Sequence, residues 1–89
     1  MEFEWSEAKR LVVLTARGLD FIDAPQLFDG RPLYTIASPR DMEERWLSVG
    51  ELDGRVVAVV WTRRDAAIRI ITMRRARREE ERRYRALYD

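Results

Sequence analysis

The chain has no cysteine and no histidine. Without cysteine there are no disulfides, no thiolate metal sites and no thiol nucleophile. Without histidine the usual general base near neutral pH is missing, as is the commonest nitrogen ligand for zinc. A zinc hydrolase or a Ser-His-Asp hydrolase is excluded by inventory, and neither a cofactor nor a metal is expected. Lysine is nearly absent too: it occurs only as Lys9, and every other cation is arginine. No stretch is long and apolar enough to span a membrane. The opening Met1-Glu2-Phe3-Glu4 is acidic and no apolar leader core follows it, so the chain is expected to stay in the cytoplasm. Repeats, linkers and low-complexity segments are also lacking. At 89 residues the expectation is a single domain over 1–89 with a modest core, part of whose stability comes from a partner.

What is present is unevenly distributed. The net charge is only +1, and acids and bases are mixed before Gly50. From Arg55 to Arg78, however, Asp65 is the only acid among arginines at 55, 63, 64, 69, 74, 75, 77 and 78. Glu79, Glu80 and Glu81 then restore the balance. A basic stretch within a neutral chain implies a local anion-binding surface. Arginine suits that role, because its planar fork binds phosphate bidentately and stacks on bases.

The local pattern gives an order of strand, two helices, four strands and a helix. Phe3 and Trp5 flank Glu4 in a short strand over 2–5. Ser6 caps a helix at 7–17, with Glu7 in its first turn and Gly18 as its C-terminal stop. Ala8, Leu11, Val12 and Thr15 form its apolar stripe, widened by Leu14. Asp20 or Asp23 caps a second helix with Phe21, Ala24, Leu27 and Phe28 on one face. Pro25 is tolerated near the first turn and kinks the helix if it lies deeper. Strands follow at 33–36 and 45–49, and then the turn dipeptide Asp53-Gly54. The apolar run Val56–Trp61 reads as a central strand covered on both faces, with 68–73 beside it. A last helix spans 75–88, and its apolar face (Ala76, Tyr84, Leu87 and Tyr88) is narrow. Hairpin links imply an α+β fold: a mainly antiparallel sheet packed by two N-terminal helices, with a C-terminal helix.

Strict alternation along 68–74 puts Ile68, Ile70, Thr72 and Arg74 on one face and Arg69, Ile71 and Met73 on the other. With Arg63 and Arg64 nearby, this gathers guanidinium groups at one sheet end, suited to stabilising charge on phosphate oxygens. Arginine does not give up its proton. RNA cleavage here would therefore rest on positioning the 2′-hydroxyl, with Glu43, Glu44 or water as proton acceptor. Trp46, Trp61 or Tyr34 stack a base if they are exposed. The bland alternative is that strand-end arginines point into solvent or pair with acids, and that the tryptophans are core.

Several segments, in order, resemble the BrnT-type toxins. Glu4-Trp5-Ser6-Glu7-Ala8-Lys9 is similar to their F-x-W-D-x-x-K. Gly18-Leu19-Asp20-Phe21 and Phe28-Asp29 are similar to the end of N-x-x-K-H-G-V-S/D-F and to V-F-x-D. Glu44-Arg45-Trp46 through Gly50 matches an E-x-R run ending in I-G. Val59-Val60-Trp61-Thr62-Arg63-Arg64 resembles V-V-Y-T-x-R, and Ile68 to Ala76 resembles I-R-I-I-S-A-R-x-A, followed by Glu81-Arg82-Arg83-Tyr84. The chain departs from the pattern where Ala16-Arg17-Gly18 replaces K-H-G, Val13 replaces the helix asparagine and Thr72 replaces the serine.

The resemblance implies a RelE-like fold and a ribonuclease toxin of a type II toxin–antitoxin pair that blocks translation by cutting RNA. It implies neutralisation by a BrnA-type antitoxin that contacts operator DNA, and assembly as a heterotetramer. The positions it marks as catalytic are Arg64, Arg69 and Arg74, with Arg17 in the histidine slot. Lys9, Arg45, Arg63 and Arg75 are the further cations expected to hold RNA. A non-catalytic antitoxin-binding or co-repressor module stays open beside the nuclease, because Arg17 cannot shuttle a proton.

Overall fold

The computed structural model describes residues 1–88. β1 (Glu2–Trp5) leads into α1 (Glu7–Arg17), a 3-10 helix (Phe21–Phe28), β2 (Leu33–Ala37), β3 (Trp46–Leu52), β4 (Arg55–Arg64), β5 (Ala67–Arg75) and α2 (Arg78–Tyr88). The five strands form one sheet in the order β1-β5-β4-β3-β2. The apolar run of β4 lies at its centre because both of its faces are covered.

The expected mainly antiparallel sheet packed by two N-terminal helices does not hold. The sheet is mixed: β2 to β5 pair antiparallel, but β1 runs parallel to β5, with Glu4 opposite Arg69. Only one α-helix lies in the N-terminal part, and it follows a strand. The segment expected as a second helix is a 3-10 helix with Pro25 inside it. Proline has no N–H to bond back to Phe21, and its ring crowds that carbonyl, so the α form is disfavoured and the tighter turn replaces it.

α1 is capped as expected: the Lys9 N–H donates to Ser6 Oγ at 3.2 Å, and Gly18 ends the helix at φ 69°. Its buried residue is Val13, however, while Leu11 and Val12 are exposed, so the stripe read from spacing faces outward. The core on this side of the sheet comes mostly from the 3-10 helix. Phe21, Ala24 and Leu27 are fully buried against Val57, Val59, Trp61, Ile68, Ile70 and Met73.

The last helix begins at Arg78 rather than 75 and covers the opposite face. Tyr84 is buried with Tyr34, Val49, Val56 and Ala58, and the Tyr88 hydroxyl donates to Leu33 O at 2.6 Å. A narrow apolar face is enough here because one buried tyrosine and its hydrogen bonds fix the helix to β2 and β3.

Candidate nucleic-acid interface

Strict alternation fails in β5, and the failure shapes the site. Val60 pairs with Thr72 but Trp61 pairs with Ile70, so Ile71 is an extra, bulged residue. A bulge of this kind shifts the side-chain phase by one. Ile68, Ile70 and Met73 consequently share the core face. Arg69, Thr72 and Arg74, together with Arg64 at the end of β4, share the α2 face. This corrects the sequence expectation, which had placed Arg69 and Arg74 on opposite faces.

Sharing a face does not bring these arginines to one point. Arg69 and Arg74 are five positions apart, roughly 15 Å along a strand, and each is drawn a different way. Arg69 donates to Glu4 across the parallel pair at 2.9 Å. Arg74 makes a two-pronged bond to Glu80 of α2 at 2.8 and 3.0 Å. That pairing holds the Glu80 carboxyl below its usual range, helped by the Arg77 N–H. Arg64 is exposed at the β4–β5 turn. Arg17 reaches from the end of α1 to the edge of β5 that β1 leaves open, donating to Met73 O at 2.8 Å and to Thr72 Oγ1 at 3.3 Å. Arg63 lies 5.9 Å from the centre of the Trp61 ring, on the core face, and Arg75 is exposed on that side.

Lys9 and Arg45 do come together. They line a cavity of about 420 Å³ with Ser38, Pro39, Arg40, Val60, Ile71 and Thr72. The bulge opens this space, since it sets Ile71 and Thr72 side by side next to Val60. Two smaller cavities adjoin it. One shares Lys9 and Ile71 and adds Ser6 and Arg69. The other shares Pro39 and Arg45 and adds Ala37, Glu44 and Trp46. The result is a trough with cations along most of its length.

Its electrostatics follow from which cations are neutralised. Arg45 donates through Nε to Glu43 at 2.6 Å, and Arg69 is paired with Glu4. Lys9 and Arg40 have no carboxylate partner among the described residues, and Ser38 and Thr72 line the same cavity. An anion entering this cavity meets two positive charges that no described carboxylate neutralises. The β2–β3 loop presents Arg40 in a fixed shape: Ser38 N–H donates to Arg45 O, and Arg40 and Glu43 exchange backbone hydrogen bonds around Asp41-Met42.

The expected stacking residues are mostly core. Trp61 and Tyr34 are buried. Trp46 is half-buried and stacked on Trp61 with centroids 5.0 Å apart, and its remaining surface faces the cavity with Glu44.

A family model described as "Ribonuclease toxin, BrnT, of type II toxin-antitoxin system" matches residues 5–80. The chain belongs to the BrnT family. A search of curated proteins found no match. BrnT membership brings with it the class of ribonuclease toxins and an antitoxin as partner.

Several of the BrnT-like motif residues have structural duties here. Ser6 caps α1, Asp20 caps the 3-10 helix through Ile22 N–H and pairs with Arg10, and Phe21 is core. Gly50 lies where a Cβ would come within 2.8 Å of Leu27 Cδ2, so glycine lets the 3-10 helix settle on β3. Arg40 and Ser38 of the trough were not singled out from sequence. Ser38-Pro39 reads as the end of a strand, and only the hairpin return through Asp41-Met42 brings Arg40 back toward β5.

Proposed function

We infer that this BrnT-family chain is a metal-independent endoribonuclease whose RNA strand lies in the Lys9–Arg40–Arg45 trough. The observation that carries this reading is the cavity of about 420 Å³ with two cations that lack carboxylate partners among the described residues, in a chain of a ribonuclease-toxin family. A phosphodiester there is held by Lys9, Arg40 and Arg45, which favour the charge that grows on the phosphate oxygens as the 2′-oxygen attacks. Arginine stays charged throughout, whereas Lys9 is a cation able to release a proton to the departing 5′-oxygen. Glu43 is engaged by Arg45 and Glu44 lies in the adjoining cavity, so water accepts the 2′-proton. Arg69 and Arg64 extend the cationic surface toward β1 and the β4–β5 turn. Arg17 and Arg74 act by positioning Thr72 and α2. In this reading the toxin blocks translation in the cytoplasm. A BrnA-type antitoxin neutralises it within a heterotetramer that reaches operator DNA through the antitoxin alone.

The test is induced expression of the chain by itself, reading growth and RNA integrity. Wild type is expected to arrest growth and cut RNA, and Lys9→Ala/Arg40→Ala to do neither while folding normally, since both side chains are exposed. A toxic double variant would remove the trough from the mechanism. The attachment of Arg17 to Thr72 and Met73 O favours one second reading, a non-catalytic antitoxin-binding module. Normal growth and intact RNA with folded wild-type protein would select it.

A further inference from the structure

We propose that the cavity beside the cationic one, formed by Ala37, Pro39, Glu44, Arg45 and Trp46, is a base-reading subsite that takes an unpaired guanine. The inference rests on the RNA-binding reading of the trough and assigns the nucleotide it prefers.

The two cavities share Pro39 and Arg45. A nucleotide whose phosphate sits by Lys9 and Arg40 can turn its base over that ridge into the second space, of about 270 Å³. Apolar groups supply most of the wall: Ala37, Pro39 and the indole of Trp46. That indole is fixed in place, because it stacks on Trp61 at 25° and Trp61 in turn meets Phe28 edge-on. A rigid aromatic surface beside a cationic track suits an unpaired base, since stacking adds affinity without requiring the ring to be ordered on binding.

Glu44 sets the preference. Its carboxylate has no ion pair or side-chain hydrogen bond among the described residues, although Glu43 next to it pairs with Arg45. Its backbone is pinned, because the buried Thr62 hydroxyl donates to Glu44 O at 2.6 Å. A free carboxylate in a groove built for phosphate repels the backbone, so its place there fits an interaction with a base edge. An ionised carboxylate only accepts hydrogen bonds. Guanine offers two adjacent donors, N1–H and the N2 amino group, to its two oxygens. Cytosine and adenine offer one amino group each, and uracil places an oxygen on either side of its single N–H. The nearby Arg45 guanidinium can donate to guanine O6, which makes the pairing two-sided.

The experiment uses labelled 2′-O-methyl tetranucleotides, which the chain cannot cleave because the 2′-oxygen is capped. Anisotropy titrations of UUGU, UUAU, UUCU and UUUU give the preference directly. UUGU is expected to bind roughly tenfold tighter than UUUU, the effect of one good two-pronged base contact. Glu44→Gln, which carries one donor and one acceptor in place of two acceptors, is expected to close most of that gap. Equal binding of UUGU and UUUU, or a gap that survives Glu44→Gln, overturns the subsite while leaving the trough intact as an RNA site. No binding of any tetranucleotide overturns the subsite and the RNA reading of the trough together.

Discussion

At the scale of single residues, one of the arginines that the sequence marks as catalytic has a structural partner. Arg74 is only 21% exposed and its bonded Glu80 18%. Glu80 also accepts the Arg77 N–H at 2.8 Å, so one carboxylate both caps α2 and ties it to β5. Removing Arg74 leaves that carboxylate with half its partners. Arg74→Ala is therefore expected to lower stability by about 1–3 kcal/mol in urea unfolding, and Arg74→Lys by less. Loss of toxicity in Arg74→Ala means loss of catalysis only if the melting curve is unchanged. The pH dependence has a definite sign. Arg74 depresses the folded-state pKa of Glu80, so the pair's contribution is full above the ordinary glutamate value of about 4.3 and fades as pH falls through the lower folded value. The stability gap between wild type and Arg74→Ala should be widest near neutral pH and narrow in acid. Ser48 is a second such residue. Fully buried, its Oγ accepts the Trp61 indole N–H at 2.8 Å and lies 2.8 Å from Thr35 Oγ1. Ser48→Ala strands a buried indole donor and should cost about 1–3 kcal/mol, measurable as a lowered urea midpoint with an unchanged slope.

At the scale of elements, local signals were legible and long-range ones were not. Ser6, Gly18 and Asp20 act within a few residues of themselves, and α1 has the bounds its caps imply. Asp53 and Gly54 take φ of 50° and 78°, the left-handed pair that a tight hairpin needs, and they join β3 to β4 as expected. The parallel partner of β1 lies more than sixty residues away, and nothing in Phe3-Glu4-Trp5 announces it. The bulge at Ile71 is equally silent, since Ile70 and Ile71 are both good strand residues and only the pairing with β4 decides which is extra. That single unread residue put Arg69 and Arg74 on one face where opposite faces were expected, and their separate pairing with Glu4 and Glu80 draws them apart. The 3-10 helix makes a testable contact with β3. Gly50→Ala would bring a Cβ to 2.8 Å from Leu27 Cδ2 and 3.0 Å from Leu33 Cδ1. Leu27 is fully buried and has little room to yield, so a loss of about 1–3 kcal/mol is expected. Leu27→Ala alone should cost about 2–5 kcal/mol. In the Gly50→Ala background it should cost distinctly less, because it also removes the clash. Additive losses in that double-mutant cycle would mean that the 3-10 helix does not press on Gly50.

At the scale of the whole molecule, a net charge of +1 conceals a localised cationic trough, and the two make opposite predictions about salt. Binding through diffuse net charge would be weak and would fall equally whichever cation is removed, since any one removal takes the net charge from +1 to zero. Binding in the trough depends on particular phosphates losing their counterions, so log K should fall linearly with log salt by about 0.7 per phosphate neutralised on a single strand. Lys9 and Arg40, lacking carboxylate partners among the described residues, are the cations best placed to neutralise a phosphate. Arg45 and Arg69 already face Glu43 and Glu4 and should contribute less to the slope. The expectation is therefore specific. Lys9→Ala and Arg40→Ala should each weaken binding of an uncleavable RNA and each flatten the slope by up to about 0.7. Arg69→Ala should flatten it less, and Arg82→Ala, on the exposed surface of α2, should leave it unchanged. Anisotropy titrations between low and moderate salt measure all four. Equal flattening by Arg82→Ala and Lys9→Ala would show that RNA reads the charge of the molecule as a whole, and would move the site away from the bulge in β5.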